Sequence, residues 1–108
     1  MKQTVIVGEN DTAYQQKVFS LFNLEGLKNN VTISIVGPYR DTMFTAKLNM
    51  NGTVYFNGKE YDSLSSAHHA AIQKTETPYT GWQFWGIVYE GDHGEYIRFL
   101  DDILRDSN

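Results

Sequence analysis

Two Asn-Gly dipeptides, Asn51-Gly52 and Asn57-Gly58, punctuate the middle of the chain. Asn-Gly between strand-like runs is the strongest short-range hairpin signal, because a type I′ turn requires positive φ at both central residues. Two such pairs so close together leave room between them only for a short strand, Thr53 to Phe56. They also force the flanking chain to run antiparallel to it. On the near side Phe44, Ala46, Leu48 and Met50 alternate with polar residues, the mark of a half-buried strand. On the far side Lys59, Glu60 and Tyr61 lead back.

Beyond this meander, Asp62, Ser63 and Ser65 are cap-type residues ahead of a helix from about Leu64 to Lys74. Ala67, Ala70 and Ala71 give that helix a small-residue face, with Leu64 and Ile72 extending it. Thr75 to Gly81 reads as a loop containing Pro78. Trp82 to Tyr89 (WQFWGIVY) reads as a strand apolar on both faces, and Gly91 to Gly94 as a turn. The last helix is predicted from about Glu95 to Arg105, with Tyr96, Phe99, Leu100, Ile103 and Leu104 at helical spacing.

Upstream, Lys2 to Val7 is a short β-branched run. A helix follows from Asp11 or Thr12, with Tyr14, Val18, Leu21 and Phe22 on one stripe and Gly26 as its stop. Val31 to Val36 is the next strand, and Gly37-Pro38 breaks it, leaving Tyr39 and Arg40 in a loop. The order predicts an α+β fold, a mostly antiparallel sheet of about five strands packed by three helices. At 108 residues the chain is one domain.

Composition narrows the chemistry. There is no cysteine, so disulfides and thiolate metal sites are excluded, which fits a reducing cytoplasm. No apolar run is long enough for a signal peptide or a membrane span, so a soluble cytoplasmic protein is expected. Thirteen acidic residues against nine basic ones give a formal charge of −4, which opposes binding a long duplex through a basic field. Aromatic residues are 14% of the chain, so rings dominate either burial or a binding face.

The run Gly52-Thr53-Val54-Tyr55-Phe56, then Gly58-Lys59-Glu60-Tyr61, then Ser63-Leu64-Ser65-Ser66-Ala67 with Ala70 and Ala71, then Gly81-Trp82-Gln83-Phe84-Trp85, resembles the RAMA domain. That module is associated with restriction enzymes and adenine methylases. The resemblance is strongest from about Ala46 to Trp85, within a RAMA-like unit of about residues 46–105 preceded by a strand-helix-strand extension. His68 stands where the family usually keeps a small residue, and Thr80 where Asn commonly precedes Gly-Trp. The resemblance implies a non-catalytic recognition module linked to DNA modification, in some members suspected of sensing methylated adenine.

The candidate ligand-binding residues are Tyr39, Arg40, Lys59, Tyr61, Ser63, Ser65, Trp82, Trp85 and Arg98. Trp82 and Trp85 either stack on a base or fill the core beneath the alanine face. Arg40 beside Tyr39 offers a planar cation for a phosphate or a base, or is an ordinary solvated arginine. Lys59, Tyr61 and the serines at the helix start form a possible anion receptacle; equally, the serines cap their own helix. Arg98 and Arg105 lie on the last predicted helix. His68 and His69 are adjacent on a helix and point about 100° apart, which does not suit shared metal ligation. No nucleophile elbow, no thiol and no phosphate-cradling glycine set appears.

These observations point to a non-catalytic module for a nucleotide-type ligand, a modified base in nucleic acid or a small free nucleotide, with no cofactor or metal. One alternative is a stand-alone phage-type anti-defence protein that sequesters a cyclic nucleotide signal or blocks a host protein. A further alternative is a protein–protein interaction module. Homo-oligomers are possible in each case.

Overall fold

The stripe Tyr14, Val18, Leu21 and Phe22 is buried on the first helix, α1 (Thr12–Leu24), as its spacing dictates. Fully burying side chains of this kind contributes about 1.5–3 kcal/mol each. The computed structural model describes residues 12–25, 32–74 and 80–106. The expected strand at Lys2 to Val7, the stop at Gly26 and the loop around Pro78 lie outside these residues.

Six antiparallel strands follow, β1 (Thr32–Tyr39), β2 (Thr42–Asn49), β3 (Val54–Phe56), β4 (Lys59–Tyr61), β5 (Gly86–Gly91) and β6 (Gly94–Phe99). They lie in the order β4-β3-β2-β1-β5-β6. The helices are α1, α2 (Leu64–Ile72), α3 (Gly81–Phe84) and α4 (Leu100–Asp106). The fold class is the expected α+β; the described residues hold six strands and four helices, against about five strands and three helices in the sequence reading.

Ile33, Ile35, Ala46, Leu48, Val54 and Ile87 are buried on the helix-covered face. Their period-2 neighbours Ser34, Thr45, Lys47, Tyr55 and Val88 are exposed on the other face. β1 runs through Gly37-Pro38 instead of stopping there, so Tyr39 is a strand residue paired with Thr42. A two-residue connection makes that closing pair hydrogen-bonded, which puts Pro38 in a non-hydrogen-bonded pair. Its missing N–H therefore points away from β2, on the side where β1 meets β5 only at Val36–Gly86, and proline is tolerated.

The two Asn-Gly turns differ. Asn57 (φ 53) and Gly58 (φ 81) both take positive φ, closing Phe56 against Lys59 as a type I′ turn requires. Only Gly52 does so in the first pair. Asn51 stays outside that region because its Oδ1 accepts from the Thr53 N–H (3.1 Å) and hydroxyl (2.7 Å). The Gly52 carbonyl is then free to accept from the Tyr14 hydroxyl at 2.6 Å.

Two elements overturn the expected pattern. Trp82 to Tyr89 is not one strand: Gly81 to Phe84 turns as α3, and β5 starts at Gly86. The amides of Gln83 and Phe84 both bond the Thr80 carbonyl, and the Gln83 side chain accepts the Thr80 N–H at 3.0 Å. A short buried helical turn and a buried strand are equally apolar all round, so periodicity does not separate them. Likewise Glu95 to Phe99 is strand β6, and the helix starts only at Leu100, whose N–H bonds the Trp85 carbonyl. Leu100 and Ile103 keep the buried places that helical spacing assigned them.

α2 starts where expected. Ser63 is its N-cap, with Oγ accepting from the Ser66 N–H at 3.2 Å. The Leu64 N–H donates to the Tyr14 hydroxyl at 3.0 Å, and its carbonyl accepts the Trp85 indole N–H at 3.0 Å. Gly81 packs against the same turn. A Cβ on Gly81 would lie 2.6 Å from the Leu64 carbonyl carbon and 2.7 Å from the Ser65 nitrogen. One helical turn is thus fastened from three directions, by α1, α3 and the residue after α3.

Candidate functional site

The β1–β2 pairing runs for its full length to Tyr39–Thr42, whereas β2 meets β3 only at Lys47–Tyr55 and Leu48–Val54. The stretch Thr42 to Thr45 therefore projects past β3. Because Tyr39–Thr42 and Gly37–Phe44 are the hydrogen-bonded pairs, the N–H and C=O groups of Met43 and Thr45 point away from β1, toward the β3 side. Two clefts open along this projecting edge. One, of about 330 Å³, is walled by Phe44 and Phe56 with Met43, Thr45 and Asn57. The other, of about 380 Å³, lies on the exposed sheet face among Ser34, Val36, Lys47 and Tyr55. Thr45 and Asn57 line both.

The chemistry of the walls is aromatic and weakly cationic. Phe56 is the hub of a ring cluster, 5.9 Å from Phe44, 6.3 Å from Tyr61 and 6.1 Å from Trp85 between centroids. Each of the two hairpins also carries a cation over a tyrosine. The Arg40 guanidinium lies 5.1 Å from the Tyr39 ring, and the Lys59 ammonium 5.7 Å from the Tyr61 ring. Between Thr32 and Tyr61 the chain has three cations (Arg40, Lys47, Lys59) and two carboxylates (Asp41, Glu60). The two hairpins are therefore locally positive in a chain of net charge −4.

Arg40 sits at the β1–β2 tip with φ 56, a left-handed conformation that costs a non-glycine residue about 1 kcal/mol. Glycine would suit the backbone better, so the side chain itself is the reason to look for a role.

Of the sequence candidates, Tyr39, Arg40, Lys59 and Tyr61 come to the two hairpins that frame the clefts. Ser63 is buried and capping, and Ser65 is half-buried in the first turn of α2. The Leu64 and Ser66 amides are already engaged, so the start of α2 does not offer them to an anion. Trp85 is fully buried with its N–H bonded, and Trp82 is buried with Lys17 4.6 Å from its ring and Tyr14 edge-on at 5.8 Å. Both indoles are core, not platforms. Arg98 is on β6, at the far side of the sheet from β4, paired with Asp106. Arg105 pairs with Asp101.

Lys47, Tyr55, Phe44, Phe56 and Asn57 are not among the ligand-binding candidates that the sequence offers. The alternation of Phe44, Ala46 and Leu48 does put Lys47 on the opposite face. Tyr55, 51% exposed between buried Val54 and half-buried Phe56, follows from the same alternation. What the alternation lacks is the early end of β3, which opens the clefts.

His68 is fully buried, its ring stacked on Phe84 at 4.2 Å. Burial, and secondarily the charge of His69, pushes its pKa down to about 4. The native state then holds a neutral ring that the unfolded chain protonates below about pH 6.5. This contribution to stability is intact above pH 6.5 and is lost as pH falls toward 4, on the order of 2–3 kcal/mol. The expected result is a melting temperature that drops across pH 6.5 to 4 in the parent and less steeply in His68→Phe, measured by calorimetry; equal slopes would remove His68 as the cause.

Burial, followed by the hydrogen bond to Glu25 at 2.6 Å and that carboxylate's charge, raises the pKa of Tyr89. This pair ties β5 to the end of α1. Among the described residues no three His, Asp or Glu side chains gather in a way that could hold a metal ion. No helix among them is long and apolar enough to cross a membrane. No protein-family model, curated protein or solved structure matches this chain.

Proposed function

We propose that this protein is a non-catalytic binding module for a nucleotide-type ligand, seated in the paired clefts along the projecting edge of β2. The observation that carries this reading is the half-exposed Tyr55 ring beside Lys47, adjoining a second cleft walled by Phe44 and Phe56. A base stacked on an aromatic side chain gains about 1–3 kcal/mol whatever its sequence. Lys47, Arg40 and Lys59 are the phosphate partners in this reading. Asn57 and the outward backbone groups of Met43 and Thr45 are the donors and acceptors for a base edge. The overall acidity favours a free nucleotide or a locally opened base over a long duplex. The resemblance of residues 46–85 to the RAMA domain supports the same class of ligand.

The test is a thermal-shift and calorimetric panel of free nucleotides and methylated oligonucleotides. For a ligand that binds, Tyr55→Ala is expected to weaken affinity roughly tenfold or more. Arg40→Gly should weaken it as well while leaving stability unchanged or raised by up to about 1 kcal/mol, since the tip strain is relieved. A panel that produces no shift, or a binder indifferent to both substitutions, removes the clefts as a nucleotide site. A second reading draws on the same edge: outward backbone groups flanked by Phe44, Phe56 and Met43 also suit an extended peptide added as a strand. Titration with peptides in place of nucleotides separates the two.

A further inference from the structure

The sheet ends on β4 at one side and β6 at the other, and the two edges are built differently. β4 is three residues long and two of them, Lys59 and Glu60, are charged. Short length and charge are how natural sheets blunt an edge against pairing with another chain. β6 is twice as long, with neither proline nor lysine in Gly94 to Phe99. Its pairing with β5 runs without a bulge from Gly91–Gly94 to Gly86–Phe99. The two-residue connection makes Gly91–Gly94 a hydrogen-bonded pair, so Tyr89–Tyr96 and Ile87–Arg98 are hydrogen-bonded too. The N–H and C=O groups of Glu95, Ile97 and Phe99 therefore point outward, where among the described residues no strand lies. On the exposed sheet face Ile97 lies next to Val88 and Met43 in an apolar hollow of about 210 Å³.

We propose that β6 is a self-association edge, at which two copies pair antiparallel about a two-fold axis through Ile97 and join their six-stranded sheets into one. Charge selects the register. An axis at Glu95 sets two carboxylates opposite each other, and one at Arg98 sets two guanidiniums opposite each other; like charges in directly opposed positions are destabilising. An axis at Phe99 runs the second strand into α4, which starts at Leu100. An axis at Tyr96 faces Arg98 with Gly94, so the second copy offers it no side chain. The axis at Ile97 sets Ile97 on Ile97 and Tyr96, 49% exposed, against Arg98 of the second copy, a ring against a cation. It also keeps the exposed faces on the same side, so the Ile97 pair extends the apolar strip that begins at Val88.

Sedimentation across a concentration series is expected to give a species of twice the 12.4 kDa chain mass. Ile97→Pro takes from the backbone only an outward N–H that β5 does not use, and from the surface the half-buried Ile97 side chain, so it should sediment as a folded monomer. Because the chain has no cysteine, introduced thiols report the register directly. Opposed residues of a hydrogen-bonded antiparallel pair have Cα atoms about 5.5 Å apart, within disulfide reach. Mild oxidation should therefore link Ile97→Cys into a covalent dimer and leave Glu95→Cys, displaced by about 14 Å in this register, as monomer. Monomeric mass of the parent at every concentration, a dimer that survives Ile97→Pro, or linkage of Glu95→Cys or Tyr96→Cys in preference to Ile97→Cys would each overturn the assignment.

Discussion

Trp85→Ala is expected to lower unfolding free energy by about 4–5 kcal/mol, the upper range for a large aromatic lost from a core. Trp85 is fully buried. It touches Phe84 edge-on at 4.8 Å and Phe56 at 6.1 Å, and its indole N–H holds the Leu64 carbonyl at 3.0 Å. Removing it empties the space between the ring cluster of the β2–β4 meander and the first turn of α2. It also leaves a helix carbonyl in a dry environment without its donor. Domains of this size have a total stability of about 5–15 kcal/mol, so the variant should be largely unfolded or melt about 20 °C lower. Trp85→Phe separates volume from hydrogen bond: most of the ring remains, and the cost should fall to about 2 kcal/mol. Equilibrium urea unfolding of the three proteins reads both numbers. A loss under 2 kcal/mol for the alanine variant would mean that the neighbouring rings close over the gap.

Gly81→Ala should cost about 3 kcal/mol, although it adds a single methyl group. The atoms that Cβ would meet are the backbone of Leu64 and Ser65 at 2.6 to 2.8 Å. Backbone cannot rotate aside as a side chain would, so α2 and α3 must separate. That movement carries the Leu64 carbonyl away from the Trp85 N–H. The two sites are therefore coupled, and Gly81→Ala with Trp85→Phe should cost less than the sum of the single changes, by about 0.5–2 kcal/mol. Gly58 supplies the contrast. Nothing lies within 4 Å of a Cβ there, and only its φ of +81 opposes substitution, a cost nearer 1 kcal/mol. Equal losses at Gly81 and Gly58 would show that close approach is not what demands glycine at Gly81.

Both predictions rest on the same contact. The Gly-Trp-x-Phe-Trp run and the Ser-x-Ser-x-Ala helix start meet in space as glycine on backbone and indole on carbonyl. Their spacing is explained by packing. The proposed ligand site is therefore placed away from this contact, at the hairpins where Tyr55, Lys47 and Arg40 leave the core.

Local periodicity and turn chemistry determined a good part of this fold from the residues alone. The Tyr14, Val18, Leu21, Phe22 stripe, the alternation along β1 and β2, the Ser63 cap and the type I′ turn at Asn57-Gly58 each depend on residues within a few positions of one another. Tertiary structure decided the rest. Whether Trp82 to Trp85 coils or extends depends on Leu64 and Ser65 offering a surface that only a glycine can approach. Whether Glu95 to Phe99 is helix or strand depends on β5 being there to pair with. The clefts exist because β3 stops while β2 continues, and such an offset between strands is a property of their pairing, which no single segment encodes.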